Sequence, residues 1–588
     1  MTELTVGIIG GGPWGMAVLD RLVTLARRKR ARPIRIVLFD PAPFGPGVHD
    51  PDQPGHLLLN TVTNQVDSFS ARHFGEVPLP GALPFLDWMR QSDGNVSTSG
   101  FLPRRTFGAY MRFVFNTLKE NLPENADLLA LNLAVTDVQP RHDARYRLTD
   151  SDGGQHDVDH VFICTGHGQR GVPVTDRRDG ALSPYPCDAL HSAIAPRSIV
   201  GVQGMGLTAV DVVATLTEGR GGRFAEAGDG SLRYDPSGTE PVIYCFSRSG
   251  TPFSCRPSET LDLSGRYTPI FCSAEALPQD RALDFEADVL PLLCAEMWAA
   301  FAMRHAALRD GPEAWDGLRA RFVEIAPESV EQLAREMAGT ECETFDPRGL
   351  LLTSPQRTGL DARDASDRVM AHLHRDVTEA TKGEEASPYK HAIEMLRVNR
   401  DFIRAAVNHG RLTPQSRQLF FNRVAPAIAQ LIVGPPLSRG REWLALARAG
   451  VLRFELSRAP DIQRDSWYGH WTARSGGRMA RFDSLVCARV GHGLETDPLL
   501  TTMVAQGLCS RISLPGLSYL SVDADARPLD STGLPLEGIS VLGVPSEGST
   551  YFNHYLPSPR SRAHVFEQIN RALTALTERA DSRQGIAA

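Results

Sequence analysis

The chain has 588 residues, a formal net charge of -7 at pH 7 and 42% hydrophobic residues, which allows two or three domains around a large core. That charge balance points away from nucleic acid and anionic membranes. Nine dispersed cysteines with no C-x-x-C pair, 17 scattered histidines, and no apolar run of the roughly 20 residues that span a bilayer speak against zinc, dithiol redox centres and membrane spans. No basic segment precedes the first apolar run, so a signal peptide is not expected, and the cysteine pattern suits a reducing cytoplasm.

Residues Leu4 to Ile9 read as a buried strand. The turn Gly10-Gly11-Gly12-Pro13-Trp14-Gly15 follows, then a helix over Met16 to Ala26 and a second strand from Ile34 to Phe39 that ends at Asp40. In such a β-α-β unit the first glycine permits the tight turn, the second lets a pyrophosphate approach the backbone, and the third lets helix and strand pack closely. The helix N-terminus offers free N–H groups to phosphate. Asp40, at the strand end, is expected to accept hydrogen bonds from ribose hydroxyls. Gly10, Gly12, Pro13, Trp14, Gly15 and Asp40 are therefore dinucleotide candidates, with a purely structural glycine turn as the alternative.

Next comes the apolar stretch His56 to Gln65, interrupted by Asn60, Thr61, Asn64 and Gln65. These polar groups line a flavin in one reading, where a few of them fix orientation in an apolar pocket. In the other they cap an ordinary loop. Asp159 to Gly166 reads as a further strand ending in Thr165-Gly166.

A second unit begins at Ser198, with the turn Gly204-Met205-Gly206-Leu207-Thr208-Ala209 and a helix carrying Val210, Val212, Val213 and Leu216. Glu218 to Glu240 reads as a polar, glycine-rich insertion. The strand Val242 to Phe246 then ends in Ser247-Arg248-Ser249. Where the first unit has an acid, this one has a guanidinium between two hydroxyls, which suits a 2′-phosphate and favours NADPH over NADH. A surface salt bridge of Arg248 is the alternative. Gly204, Gly206, Leu207, Thr208, Ser247, Arg248 and Ser249 are the candidates here.

From about Arg281 to Arg423 the apolar spacing is helical, with Val289, Leu292, Leu293, Met297, Phe301, Ile393, Leu396, Phe402 and Ile403 expected in a core. Strand patterns return at Ser484, Tyr519 and Ile539 to Gly543. The segment through Gly548 to Pro557 and a helix over Arg560 to Ala575 follow. The expected fold is α/β, with two Rossmann-like dinucleotide-binding domains and a helical insertion. Residues 1–180 form the N-terminal part of an FAD domain, 181–280 an NADPH domain, 281–425 the insertion, and 426–588 a return to both domains.

Several motifs carry a family resemblance. They are Gly10-x-Gly12-x-x-Gly15, His56-Leu-Leu-Leu-Asn60-Thr, Leu102-Pro-Arg104-Arg105-x-x-Gly108-x-Tyr110, Gly204-x-Gly206-Leu-Thr-Ala209-Val-Asp211, Ser247-Arg-Ser-Gly250 and Tyr551-Phe-Asn-His-Tyr-Leu-Pro-x-Pro-Arg560-Ser. With Leu216 to Phe224, they resemble a bacterial group of FAD/NAD(P)-binding proteins similar to the flavin-dependent N-hydroxylating monooxygenases. The group includes nitrosuccinate-forming L-aspartate N-monooxygenases. The resemblance is strong at both ends of the chain and weak in the helical centre. His191-Ser192 sits where related enzymes place a His-Ser before the NADPH turn, and the Baeyer–Villiger fingerprint is absent.

The resemblance implies FAD and NADPH as cofactors, and an amine or amino acid with molecular oxygen as substrates. Hydride transfer to the flavin is followed by oxygen capture as a C4a-hydroperoxide. It implies Asn60 and Gln65 as catalytic candidates, Asn64, Gly166 and Gly548 as cofactor contacts, and Arg104, Arg105, Arg256 and Arg560 as candidates for the substrate carboxylates. Each of these arginines has a surface or phosphate-contacting role as its alternative. A flavin-dependent NADPH reductase without oxygenation and a non-catalytic FAD-binding redox protein stay open, as does a homo-oligomer.

Overall fold

The computed structural model describes all residues except 1–2, 29–30, 93, 95, 144, 169–179, 258–266, 340–344, 353–361, 466, 468, 490–492, 554–563 and 588. Two parallel sheets organise it. The first runs, in spatial order, Ile539–Val541, His160–Ile163, Leu4–Ile9, Ile34–Phe39 and Ala126–Leu131, with every neighbouring pair parallel. Its central strands are apolar runs because helices and a small antiparallel sheet cover both faces, leaving Val6, Ile8, Ile36, Leu38, Val161 and Phe162 buried. The helix Pro13–Ala26 provides the first crossover. It starts three residues before the apolar run at Met16 predicts, because proline at the first helical position lacks the N–H that would go unpaired there. The late helix His564–Ala587 packs Val565, Phe566, Ile569 and Leu573 into the same core.

The second sheet runs Leu452–Arg453, Val242–Phe246, Ile199–Gln203 and Ser484–Val486, also all parallel. In each sheet the chain order reverses at one strand, Leu4–Ile9 in the first and Ile199–Gln203 in the second. The crevice outside the carboxyl end of such a strand is where open α/β sheets bind ligands. Each glycine turn leaves from that end.

Two local expectations change. The strand expected over Asp159 to Gly166 is His160–Ile163, and Gly166 lies past its end with φ +65°. The segment 218–240 is more than a polar insertion: Arg223–Glu226 and Leu232–Asp235 form an antiparallel hairpin, with the Phe224 and Tyr234 rings 5.0 Å apart. Its turn residues masked the short alternation on either side.

The helical part builds a core of its own around Met297, Phe301, Phe322, Leu396 and Phe420. Val289, Leu293, Ile393, Phe402 and Ile403 are buried in it, and Leu292 packs at its edge. The fully buried Glu296 anchors this layer, accepting the backbone N–H groups of Ile270, Phe271 and Cys272 and the Tyr267 hydroxyl. Helices Ala362–Ala386 and Leu437–Arg448 join the second sheet's core instead, through Val369, Leu373, Trp443 and Leu444. Among the described residues no helix is long and apolar enough to cross a membrane.

Candidate functional site

The first glycine turn is shaped by close approaches. The Gly10 N–H donates to the Phe39 carbonyl at 2.8 Å, and Gly10 has φ +104°. A Cβ there would lie 2.4 Å from the Cys164 carbonyl oxygen, and one on Gly15 would lie 1.9 Å from the Gly10 carbonyl oxygen. Gly12 caps the helix in an extended conformation, with Pro13 behind it. The Trp14 ring rests on Gly543, where a Cβ would come within 2.9 Å. The segment after the last strand is thereby brought against the turn.

Asp40 has a role that its position alone did not reveal. It is 2% exposed, and its carboxylate accepts the Gly11 N–H at 2.7 Å and the Ala42 N–H at 2.9 Å. Both oxygens brace the turn, a structural role beside the ribose contacts expected of this carboxylate.

Asn60, Thr61, Asn64 and Gln65 are all partly buried, next to a short 3-10 turn over Thr63–Gln65. The Thr63 hydroxyl ties that turn to the Ser97 and Thr98 carbonyls at 2.6 and 3.0 Å. The Asn64 backbone N–H donates to Thr98, while its side-chain Oδ1 is buried and meets no donor among the described residues. A buried acceptor without a donor costs about 1–3 kcal/mol, which a bound N–H or O–H would relieve. The glycine cradle and this acceptor fit a nucleotide cofactor. Gly166 and Gly548 stand at the rim of the first sheet, both with positive φ.

The second turn repeats the first. The Gly204 N–H donates to the Phe246 carbonyl at 2.8 Å, and a Cβ on Gly204 would lie 2.3 Å from the Ala488 carbonyl oxygen. Gly206 caps the helix Leu207–Leu216, and the Phe253 ring stands 3.1 Å from its Cβ position. Thr208 is buried in the first turn of that helix. The strand end differs from the first unit. Ser247 Oγ accepts the Gly250 N–H at 3.0 Å and sits 3.2 Å from Ser249 Oγ. Arg248 is exposed at the strand end. Arg458, which sequence reasoning missed, pairs its backbone with Ser247 and packs on Gly250. It arrives from more than 200 residues away, and nothing local marks it.

The four candidate arginines separate. Arg104 is committed within the protein: Nη1 lies 2.5 Å from Asp211 Oδ2 and 3.2 Å from the Tyr185 hydroxyl, and Nε donates to the Leu58 carbonyl at 3.1 Å. Burial works against its charge, but Asp211 and Tyr185 outweigh that and raise its pKa. Arg256 is buried and paired with buried Glu394 at 3.3 Å. Arg105 is exposed beside Gly55. Arg560 lies outside the described residues. His191 is exposed on the helix Cys187–Ala193, and its carbonyl accepts from Arg220 at 3.2 Å.

Three side chains of the helical layer also reach the rim and were not foreseen. Arg404 donates to the Tyr551 and Phe552 carbonyls at 3.3 and 3.1 Å. Asn408 accepts the Tyr551 N–H at 2.9 Å, and Arg417 donates to the Gly548 carbonyl at 3.1 Å. They clamp the segment that follows the last strand of the first sheet.

Residues 7–168 match a protein family described as FAD-NAD(P)-binding. Over 93% of its length the chain is 28% identical to the nitrosuccinic acid synthase of Aspergillus oryzae, covering 88% of that protein. It is 28% identical over 92% of its length to an L-aspartate N-monooxygenase (nitrosuccinate-forming) of Streptomyces davaonensis, covering 92% of it. A Streptomyces cremeus protein of the same name is also 28% identical, over 93% of this chain and 90% of that one. The resemblance drawn from the motifs is upheld: along nearly its whole length the chain is similar to proteins named as nitrosuccinate-forming L-aspartate N-monooxygenases, and its N-terminal region matches an FAD-NAD(P)-binding family.

Proposed function

We propose that this protein is an FAD- and NADPH-dependent monooxygenase that oxygenates the amino nitrogen of L-aspartate, with nitrosuccinate as product. The observation that carries the reading is the pair of glycine turns at two chain-order reversals, one ending its second strand in a buried acid and the other in Ser-Arg-Ser with Arg248 and Ser249 exposed. The relatives supply the substrate. When bound, NADPH provides the hydride and FAD the oxygen-activating chemistry.

The chain's own groups do the placing. Gly10, Gly12 and Gly15 hold the first pyrophosphate, and Asp40 keeps that turn in shape. Asn60, Asn64 and Gln65 set the polar edge of the flavin pocket. Gly204, Gly206, Leu207 and Thr208 hold the second pyrophosphate, and Ser247, Arg248 and Ser249 take the 2′-phosphate. Arg105 and Arg560 are the arginines retained for the substrate carboxylates. The ammonium must lose its proton before the nitrogen attacks, and a pocket that excludes water lowers its pKa. The cytoplasm is the compartment this reading assigns, in keeping with the dispersed cysteines.

The test is to incubate the purified, flavin-loaded protein with NADPH, oxygen and a panel of amino acids, read by mass spectrometry. An N-oxygenated product and faster NADPH oxidation with aspartate support the proposal. Equal NADPH consumption with every amino acid, yielding only hydrogen peroxide, leaves a reductase and sinks it.

A further inference from the structure

Two motifs far apart in sequence meet in space. Arg104 opens the helix Arg104–Glu120 on the flavin side, and Asp211 lies in the helix that follows the second glycine turn, five residues after Gly206. Their side chains are 2.5 Å apart, with Asp211 buried and Arg104 largely so. The Tyr185 hydroxyl completes the contact, accepting from Arg104 and donating to Asp211. Arg104 also holds the segment that leads into Asn60: its backbone N–H donates to Leu57 at 2.7 Å and its Nε to Leu58 at 3.1 Å. One guanidinium thus joins the polar edge assigned to the flavin to the helix that carries the second turn. A parallel contact lies beside it. His56 Nε2 is 3.0 Å from the Thr215 hydroxyl on that helix, and Arg439 binds both the His56 carbonyl and Glu218.

We propose that Arg104, Asp211 and Tyr185 form a latch between the two nucleotide-binding units that sets the distance for hydride transfer. They are positioning residues and not substrate ligands. A buried ion pair is costly to break from one side, since the remaining charge is left without its partner. A two-point tether of this kind fixes the spacing of two units whose nucleotides must meet, and a misplacement of about 1 Å is enough to cost about a hundredfold in rate.

The inference rests on the two-cofactor reading above, and its test isolates the reductive step. FAD-loaded Arg104→Met, Asp211→Asn and Tyr185→Phe are mixed anaerobically with NADPH and flavin bleaching is followed. Arg104→Met and Asp211→Asn are expected to reduce about 20-fold more slowly, and Tyr185→Phe about threefold more slowly. In Asp211→Asn and Tyr185→Phe, reoxidation by oxygen after dithionite reduction should stay within about twofold of the parent, because Arg104 still holds Leu57 and Leu58 beside the flavin. The charge-swapped pair Arg104→Asp with Asp211→Arg should recover part of the loss. Should Arg104→Met not fold, Asp211→Asn and Tyr185→Phe carry the test, because each keeps the size of the side chain.

Unchanged reduction in Asp211→Asn and Tyr185→Phe overturns the latch. So does a variant whose only change is a raised KM for aspartate, which returns Arg104 to the substrate site. If the parent protein reduces its flavin with NADPH but oxygenates no amino acid, the proposed reaction fails while the latch is still judged by the variants.

Discussion

The two glycine turns share a scaffold and differ in what they present. In both, the first glycine donates to the last carbonyl of the neighbouring strand at 2.8 Å, and its Cα faces the carbonyl of the strand on the other side. In the first unit the strand-end acid is folded inward and bound to backbone N–H groups. In the second the strand end is turned outward, with an exposed arginine between two hydroxyls. The turn is thus a common device for bringing backbone to a pyrophosphate. The residues just beyond it decide whether the site is self-contained or left with charge to spend on a ligand. The following helices differ as well. Each buries an aspartate, but Asp20 is held by Ser70, whose N–H it accepts at 2.8 Å, whereas Asp211 is ion-paired.

The largest effect should come from breaking the scaffold on one side at a time. Gly10→Val places a Cβ on the Cys164 carbonyl and forces a branched residue to positive φ, so the protein should lose bound flavin almost completely, read by its absorbance. Gly204→Val should instead keep flavin and lose reduction by NADPH. If both variants lose flavin alike, the two turns do not serve separate nucleotides.

Asp20 tests the contrast between the buried aspartates. Burial raises its pKa from 3.8 to about 6, against the opposing Ser70 hydrogen bonds. The folded state therefore holds a proton that the unfolded state has released. Stability should fall as pH rises from about 4 to about 6 and level off above, by about 3 kcal/mol in all. Asp20→Asn should flatten that slope in urea-unfolding midpoints measured across pH 4–7. A slope unchanged by the substitution would contradict the assignment.

Arg248→Ala sharpens the difference between the strand ends. Loss of a charge-assisted contact of about 2 kcal/mol should raise the KM for NADPH about 30-fold and leave NADH use nearly unchanged. An equal loss with both nucleotides would place Arg248 elsewhere. The smallest expected change is in Asp40→Asn, where one of the two bracing acceptors becomes a donor. The flavin-free protein should lose about 1–2 kcal/mol, seen as a lower Tm. A purely ribose-binding carboxylate would leave the flavin-free Tm alone.

Much of the fold was legible from the chain. The strand Leu4–Ile9, the strand Ile34–Phe39, the turn between them and its counterpart at Gly204 are local events, written in apolar runs and in glycines that the backbone geometry requires. The apolar positions from Val289 to Ile403 found their core because helical spacing puts them on one face. The site was less legible. Asp40 was recognised as important, but its partners were invisible, since an acid at a strand end looks the same whether it faces a ribose or a backbone N–H. Arg104 and Arg256 stood out in motif-like surroundings, and their acids, Asp211 and Glu394, lie more than 100 residues away.

Sequence by itself therefore determined two nucleotide-binding β-α-β units, their opposite strand-end chemistry and the helical layer that follows them. Each of these depends on periodicity and turn chemistry within a few tens of residues. Tertiary structure alone decided that Asp40 supports its own turn, that Arg104 links the two units, and that Arg404, Asn408 and Arg417 hold the rim. Charge pairing and carbonyl capture depend on which segments fold to within about 3 Å of one another, and no local pattern carries that information.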